Sequence, residues 1–300
     1  MYGIEVNSKT AKYNDTTKGE MFAFTHGEGE SAVTDYRYIG YEPNNYVNFN
    51  CDENGENCET WRIVGVSDVD DGTGKVEQRM KLVRGELLDN DAAWNSSGIN
   101  EWNDSSLATT LNGTYYDSLS TSAKSMIGDA KYYLGGRKWD DDTHYGSTED
   151  MYIWERGTEV YTEDGITKAI EWTGKVALLY PSDYGYTYAN GVEKECFEDL
   201  YMCYEREATP SDEVVNNHPE AGWIYNSNKR SDDTSSQFTW LLSPYAGDSA
   251  FVFYMDQKGF VYYSGYVSSS HEVRPVVYLT SDVKITSGDG SSSNPYTLSK

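Results

Sequence analysis

The sequence predicts an α+β domain of short strands, two short helices and long loops. A train of β-prone runs fills the C-terminal part: "QFTWLLSP" (237–244), "AFVFYMD" (250–256), "GFVYYSGYV" (259–267) and "VRPVVYL" (273–279). Helical spacing is concentrated in one section near 103–130. The core must be largely aromatic. The chain has 27 Tyr, 8 Phe and 8 Trp but is only 38% hydrophobic, so rings replace scarce aliphatics.

Residues 1–35 read as an N-terminal extension, with a short aromatic strand at 21–24 inside "GEMFAFTHGEGES". The organised part, 36–300, begins at "YRYIGYEPNNYVNFN", where Asn44-Asn45 after Pro43 is turn chemistry and 46–49 alternates as a strand. "WRIVGV" and "VEQRMKLVRGE" flank the polar "SDVDDGTGK" as a hairpin with a long tip. Asp68, Asp70, Asp71 and Gly72 resemble the start of a calcium loop, but the twelfth position from Asp68 is Arg79 rather than Glu, so a solvated turn is expected. Leu107, Leu111 and Tyr115 recur every four residues behind an N-cap at Asn103 or Asp104. A second helix starts at Ser120 or Thr121. Residues 135–161 read as a polar loop leading into a strand, and 175–180 as a buried strand ended by Pro181. The acidic stretch 191–235 reads as long surface loops, and the tail as a Gly/Ser turn with a last short strand.

Charge excludes some partners. The chain has 24 Lys+Arg against 49 Asp+Glu, a net charge of -25, which repels nucleic-acid phosphates and anionic membrane surfaces. Solubility alone also accounts for such acidity. No stretch approaches the ~20 apolar residues of a membrane span, and residues 1–20 are too polar for a signal peptide. A signal or anchor upstream of Met1 stays open.

Four cysteines form two local pairs with equal spacing, Cys51 with Cys58 and Cys196 with Cys203. The pattern predicts two short-range disulfides and an exported protein, the alternative being four reduced thiols. Zinc sites favour tighter spacing, about two to four residues between Cys ligands. The four histidines, His26, His144, His218 and His271, lie in no nucleophile, metalloprotease or phosphate-loop motif. No enzyme activity, cofactor or metal is expected.

The stretches "RYIGYEPNNYVNFN", "WRIVGV", "GKVALLYPSDYGY", "WLLSPY", "VRPVVYL" and "SDVKITSGDGSSSNPYTLS" resemble exported surface proteins of Gram-positive gut bacteria. Their C-terminal half is similar to C-type-lectin-like domains, in the branch that includes formylglycine-generating enzymes. Those enzymes use a cysteine pair, and no Cys follows Cys203 here, which argues against that oxidase activity. Non-enzymatic members include receptors and adhesins diversified by retroelements. The resemblance then implies fixed scaffold at Trp240, Val252, Phe253, Gly259, Val261, Val267, Val273, Arg274 and Pro275. Changeable contact positions would be Tyr254, Asp256, Phe260, Tyr262, Tyr263, Ser264, Tyr266, Ser268, Ser269, Ser270 and His271, with Asp248 beside them. Each of those changeable residues is reachable from an asparagine codon by changing its adenines. Met255, Gln257 and Lys258 are not, so they would be fixed.

Physics gives the same segment a contact role, because Tyr and Ser combine rigid amphipathic area with small adaptable hydrogen bonders. The alternative is that these rings are core. The expectation is a non-catalytic extracellular or cell-surface receptor or adhesin, its ligand an unknown protein or glycan on a cell or phage surface. A pilin-like or other structural subunit is the second reading.

Overall fold

The structure is a computed structural model that describes residues 5–10, 19–29, 32–136, 147–157, 162–163, 166–187, 222–226, 238–256, 259 and 261–300. It is mixed α+β, mostly strands with a few short helices. Strands β1 (Glu5–Thr10), β2 (Glu20–His26), β3 (Val33–Arg37) and β4 (Tyr46–Phe49) lead into the hairpin of β5 (Glu59–Asp70) and β6 (Val76–Arg84). After β7 (Ala92–Ala93) come α1 (Ser106–Thr110), a π-helical turn (Leu111–Tyr115), α2 (Tyr116–Ser118) and α3 (Thr121–Met126). Next are β8 (Ala130–Tyr133), α4 (Thr148–Glu155), β9 (Thr162–Glu163), β10 (Ile166–Thr167), β11 (Glu171–Gly174), β12 (Val176–Ala177), α5 (Pro181–Gly185) and α6 (Trp223–Asn226). The last strands are β13 (Phe238–Pro244), β14 (Phe251–Asp256), β15 (Val261–Tyr266), β16 (Ser270–His271), β17 (Val276–Tyr278), β18 (Lys284–Ser287) and β19 (Tyr296–Ser299).

A ten-stranded sheet is organised around β5. One edge of β5 is shared, with 59–62 pairing to β4 and 65–66 to β3, while β6 runs along the other edge. Gly65 permits the β3 crossing, since a Cβ there would lie 2.2 Å from the Tyr36 carbonyl oxygen. β17 inserts between β6 and β12, with Val276, Val277 and Tyr278 opposite Val83, Leu82 and Lys81. All three β17 residues are buried, and Pro275 immediately precedes the strand, where a missing N–H costs no ladder bond. The core is ring-rich as expected, with Trp61, Trp94, Trp102, Trp223 and Trp240 fully buried.

Segment 1–35 contributes β1, β2 and part of β3 to the main sheet, and Met21, Phe22 and Phe24 are buried. Several expectations are corrected. The first helix is capped by Ser105, whose side chain accepts from the Ala108 N–H, rather than by Asn103 or Asp104. Within 135–161, read as a polar loop leading into a strand, Thr148–Glu155 form helix α4. Its first turn closes a reciprocal capping box between Ser147 and Asp150, which satisfies amides a strand would leave to a neighbour. Within the stretch read as surface loops, α6 buries Trp223 and Ile224.

Candidate ligand-binding face

β13, β14 and β15 form a separate antiparallel sheet with β14 in the middle. Trp240, Tyr254 and Tyr262 lie directly opposite one another across it, so they share one face. Alternation along β14 sends Phe253 and Met255 to the other face, where both are buried in a second apolar cluster with Val261. Between Tyr262 and Gly265 the strand holds one residue more than its partner, a β-bulge at 263–264. Gly265 returns to the Trp240 face, where a Cβ would lie 2.6 Å from the Trp240 ring and 2.8 Å from the Tyr254 ring.

The rings on the Trp240 face form a chain of contacts. Tyr262 stacks on Tyr254 at 5.6 Å, Tyr254 meets Phe238 at 4.6 Å, and Phe238 meets His271 at 5.0 Å. His271 meets the buried Trp240 edge-on at 4.5 Å. Ser264 hydrogen-bonds the Tyr254 hydroxyl, and Asp256 lies opposite Phe238. Burial lowers the His271 imidazole, with Asp91 opposing it, so the ring is neutral at pH 7.

Tyr254, Asp256, Tyr262, Ser264 and His271 therefore come together. Of the contact positions the sequence suggested, Tyr263 and Tyr266 do not join them. Tyr263 meets Tyr245 at 4.5 Å with the rings tilted and packs against the second apolar cluster. Tyr266, 59% exposed, pairs with Phe251 across the ladder on that same opposite side. Ser268 and Ser270 are exposed and Ser269 half-buried. Asp248 is half-buried, and its carboxylate accepts from the Ala250 N–H at 2.8 Å within the turn. Phe260, Cys196 and Cys203 lie outside the described residues.

Phe238 was not among the residues singled out in the sequence, although it joins Tyr254 to His271. It sits a strand away from 248–271, so only the pairing register could reveal it.

The backing is rigid. Val252, Phe253, Gly259, Val261, Val267, Val273, Arg274 and Pro275 are all buried, as is Met255. None of the described contact positions is buried. Asn100 donates from its side-chain amide to the carbonyls of Tyr245, Asp248 and Phe251, which fixes the loop between β13 and β14. Trp240 Nε1 donates to the Ala92 carbonyl at 2.8 Å, and His271 pairs with Ala92 through β16 and β7. The Arg274 guanidinium donates to the carbonyls of Arg84, Gly85 and Ile224, and burial pushes its pKa down to about 9.

A second polar centre lies in the interior. Arg37 bridges Asp183 at 2.8 Å and Asp35 at 2.9 Å, and Lys81 donates to Asp183. His26 Nδ1 lies 2.9 Å from Glu149 and Nε2 lies 3.6 Å from Asp35. Tyr186 donates to Glu149 at 2.5 Å. Glu155 accepts from the Ser182 N–H and hydroxyl, and burial pushes its carboxyl up to about 7 against the pull of Arg156. Burial alone would also raise Asp183, but Lys81 and Arg37 outweigh it and hold the carboxyl low. Each of these carboxylates is engaged by donors, and the ion pairs and hydrogen bonds tie β2, β3, β6, α4 and α5 together.

The turn at Asp70 and Asp71 spends its carboxylates on backbone amides. Asp70 accepts from Gly72 and Gly74, and Asp71 from Thr73. Among the described residues no group of His, Cys, Asp and Glu is placed to hold a metal ion. No described helix is long and apolar enough to cross a membrane. Cys51 and Cys58 form a disulfide. Comparison with family models, with curated proteins and with solved structures finds no match to this chain.

Proposed function

We propose that the protein is a non-catalytic ligand-binding receptor or adhesin of C-type-lectin-like type, displayed outside the cell. Its contact surface is the ring face of β13–β15, with Tyr254, Tyr262, Phe238 and His271 at its centre. The observation that carries this reading is the division within 248–275. The residues assigned to scaffold are buried, and the described residues assigned to contact are accessible. Accessible aromatic rings on a tied-down sheet are the composition of a paratope, giving contact area at small entropic cost. The Cys51–Cys58 bridge supports an oxidising location, where disulfides persist.

In this reading a retroelement rewrites the accessible positions while the buried ones stay. Sequencing the locus from many strains tests it. Substitutions should concentrate at the accessible positions of 254–271 and spare Val252, Phe253, Val261 and Val267. Substitutions spread evenly over the chain would remove the diversification claim. Binding itself is tested on arrays of glycans and peptides. Hits of the wild-type chain should vanish in a Tyr254→Ala/Tyr262→Ala variant that melts normally, and hits that persist there would place the binding elsewhere.

A further inference from the structure

We infer that helix α4 is a proton-controlled cover over β2, closed in mild acid and opening as pH rises to bare the rings of Phe24, Tyr152 and Tyr186. The inference is independent of the reading of the ring face as a binding surface.

Geometry comes first, because α4 is fastened at both ends by groups that can hold a proton. At its first turn, Glu149 lies 2.9 Å from His26 Nδ1 of β2 and also accepts from the Tyr186 hydroxyl. At its last turn, Glu155 accepts from the Ser182 N–H and hydroxyl at the start of α5. Between these fastenings Tyr152 is buried with Phe22, Phe24, Ile39 and Tyr186 in a small apolar cluster of their own. Met151 enters the second apolar cluster. The main core around Trp61 and Trp240 includes no α4 residue, so the helix can lift without breaching it.

The groups around each fastening set the sign. His26 is faced by Asp35 of β3, with Arg37 bound to that carboxylate, by Glu149 and Tyr152 of α4, and by Tyr186 beyond α5. Burial alone would lower the imidazole pKa, but hydrogen bonds to Asp35 and Glu149 outweigh it and raise the value. Glu155 is faced by Arg156 of its own helix at 3.5 Å and by Ser182 and Asp183 of α5. Burial pushes its carboxyl up to about 7 despite the pull of Arg156.

A raised pKa gives stabilisation that is full below the unfolded value and is lost as pH rises through the folded one. The Glu155 loss falls between 4.5 and about 7, and that of His26 begins near 6.5. Glu149 and Asp35 are held low, so their own losses lie below this window. Both fastenings therefore weaken together from mild acid to mild alkali.

The test is amide hydrogen exchange of the full chain, read as protection factors at pH 5 and pH 8. Protection at 147–156 and 20–26 should fall about tenfold or more between the two. At pH 8 it should also lie about tenfold or more below that of β5 and β6, because the helix opens without global unfolding. Glu155→Gln keeps a neutral partner for Ser182, and His26→Gln removes the imidazolium. The double variant should hold the fall to about twofold or less. Melting curves at pH 5 confirm folding, and Glu149→Gln, which removes the anion beside His26, replaces a His26 variant that does not fold. Equal protection of α4 and β5 at pH 8 overturns the inference, since the loss is then global. Protection of α4 unchanged from pH 5 to pH 8 overturns it too, as does a double variant that keeps the wild-type fall.

Discussion

The imidazole of His26 stacks on the phenol ring of Tyr152, with centroids 3.5 Å apart and planes 13° from parallel. The same imidazole is held edgewise between Glu149 and Asp35. One side chain of β2 is thus fixed by α4 and β3 at once, although 123 positions separate it from Glu149.

That clamp predicts a pH profile. Burial alone would lower the His26 pKa, but hydrogen bonds to Asp35 and Glu149 raise it above 6.5. Its stabilisation is full below the unfolded value and is lost as pH rises through the folded one. Glu155 has the same sign. With its carboxyl raised from 4.5 to about 7, the native state prefers the proton and loses stability across that interval as pH rises. Glu149, Asp35 and Asp183 are held low, so their contributions are lost as pH falls through the acid range. Melting temperature should peak near about pH 5–6, and His26→Gln should flatten the alkaline limb. A wild-type melting temperature still rising from pH 6 to 8 would refute this.

Trp240→Ala should cost about 3–5 kcal/mol in chemical denaturation, as a large core truncation does. The indole is 1% exposed and its N–H bond to Ala92 is lost as well. Tyr266→Ala, by contrast, should stay within about 0.5 kcal/mol of wild type, because most of that ring is in water. Equal costs for the two would contradict the assignment of backing and surface.

Gly265→Ala should destabilise by roughly 1–3 kcal/mol through overpacking. The added methyl would press on both Trp240 and Tyr254. Near-ultraviolet circular dichroism should register the displaced rings, and an unchanged aromatic spectrum would count against the register of β14 and β15.

Non-reducing peptide mapping should recover Cys51 joined to Cys58 and Cys196 joined to Cys203. Cys58→Ser should cost about 2.5 kcal/mol by loop-closure entropy. Free thiols in the protein purified without reductant, or cross-pairing between the two loops, would defeat both statements.

Local pattern made some of the molecule legible and left other parts hidden. The hairpin of β5 and β6, the alternation of 46–49 and the buried strand after Pro275 follow from short-range periodicity, and all appear. Helix α4 was hidden because "MYIW" has strand-prone rings, while its cap lies earlier, at Ser147 and Asp150. The ionic centre was invisible for a different reason. Its members come from positions 26, 35, 37, 81, 149, 155 and 183, and no local spacing links them. The role of Phe238 depends on pairing register, which composition does not encode.

The bulge in β15 makes the strand tolerant to one change in length. Tyr262 faces Tyr254 and Gly265 faces Val252, with two residues between them where the partner strand has one. Loss of Ser264 would leave Tyr263 opposite Phe253 and every later residue on its present side. Loss of a residue on the regular side of the bulge, such as Phe253 in β14, would turn rings inward and core residues outward. Ser264 is therefore a spare link in the ladder, and a lineage could drop it without rebuilding the sheet. Length variants recovered from related strains should have their gap there.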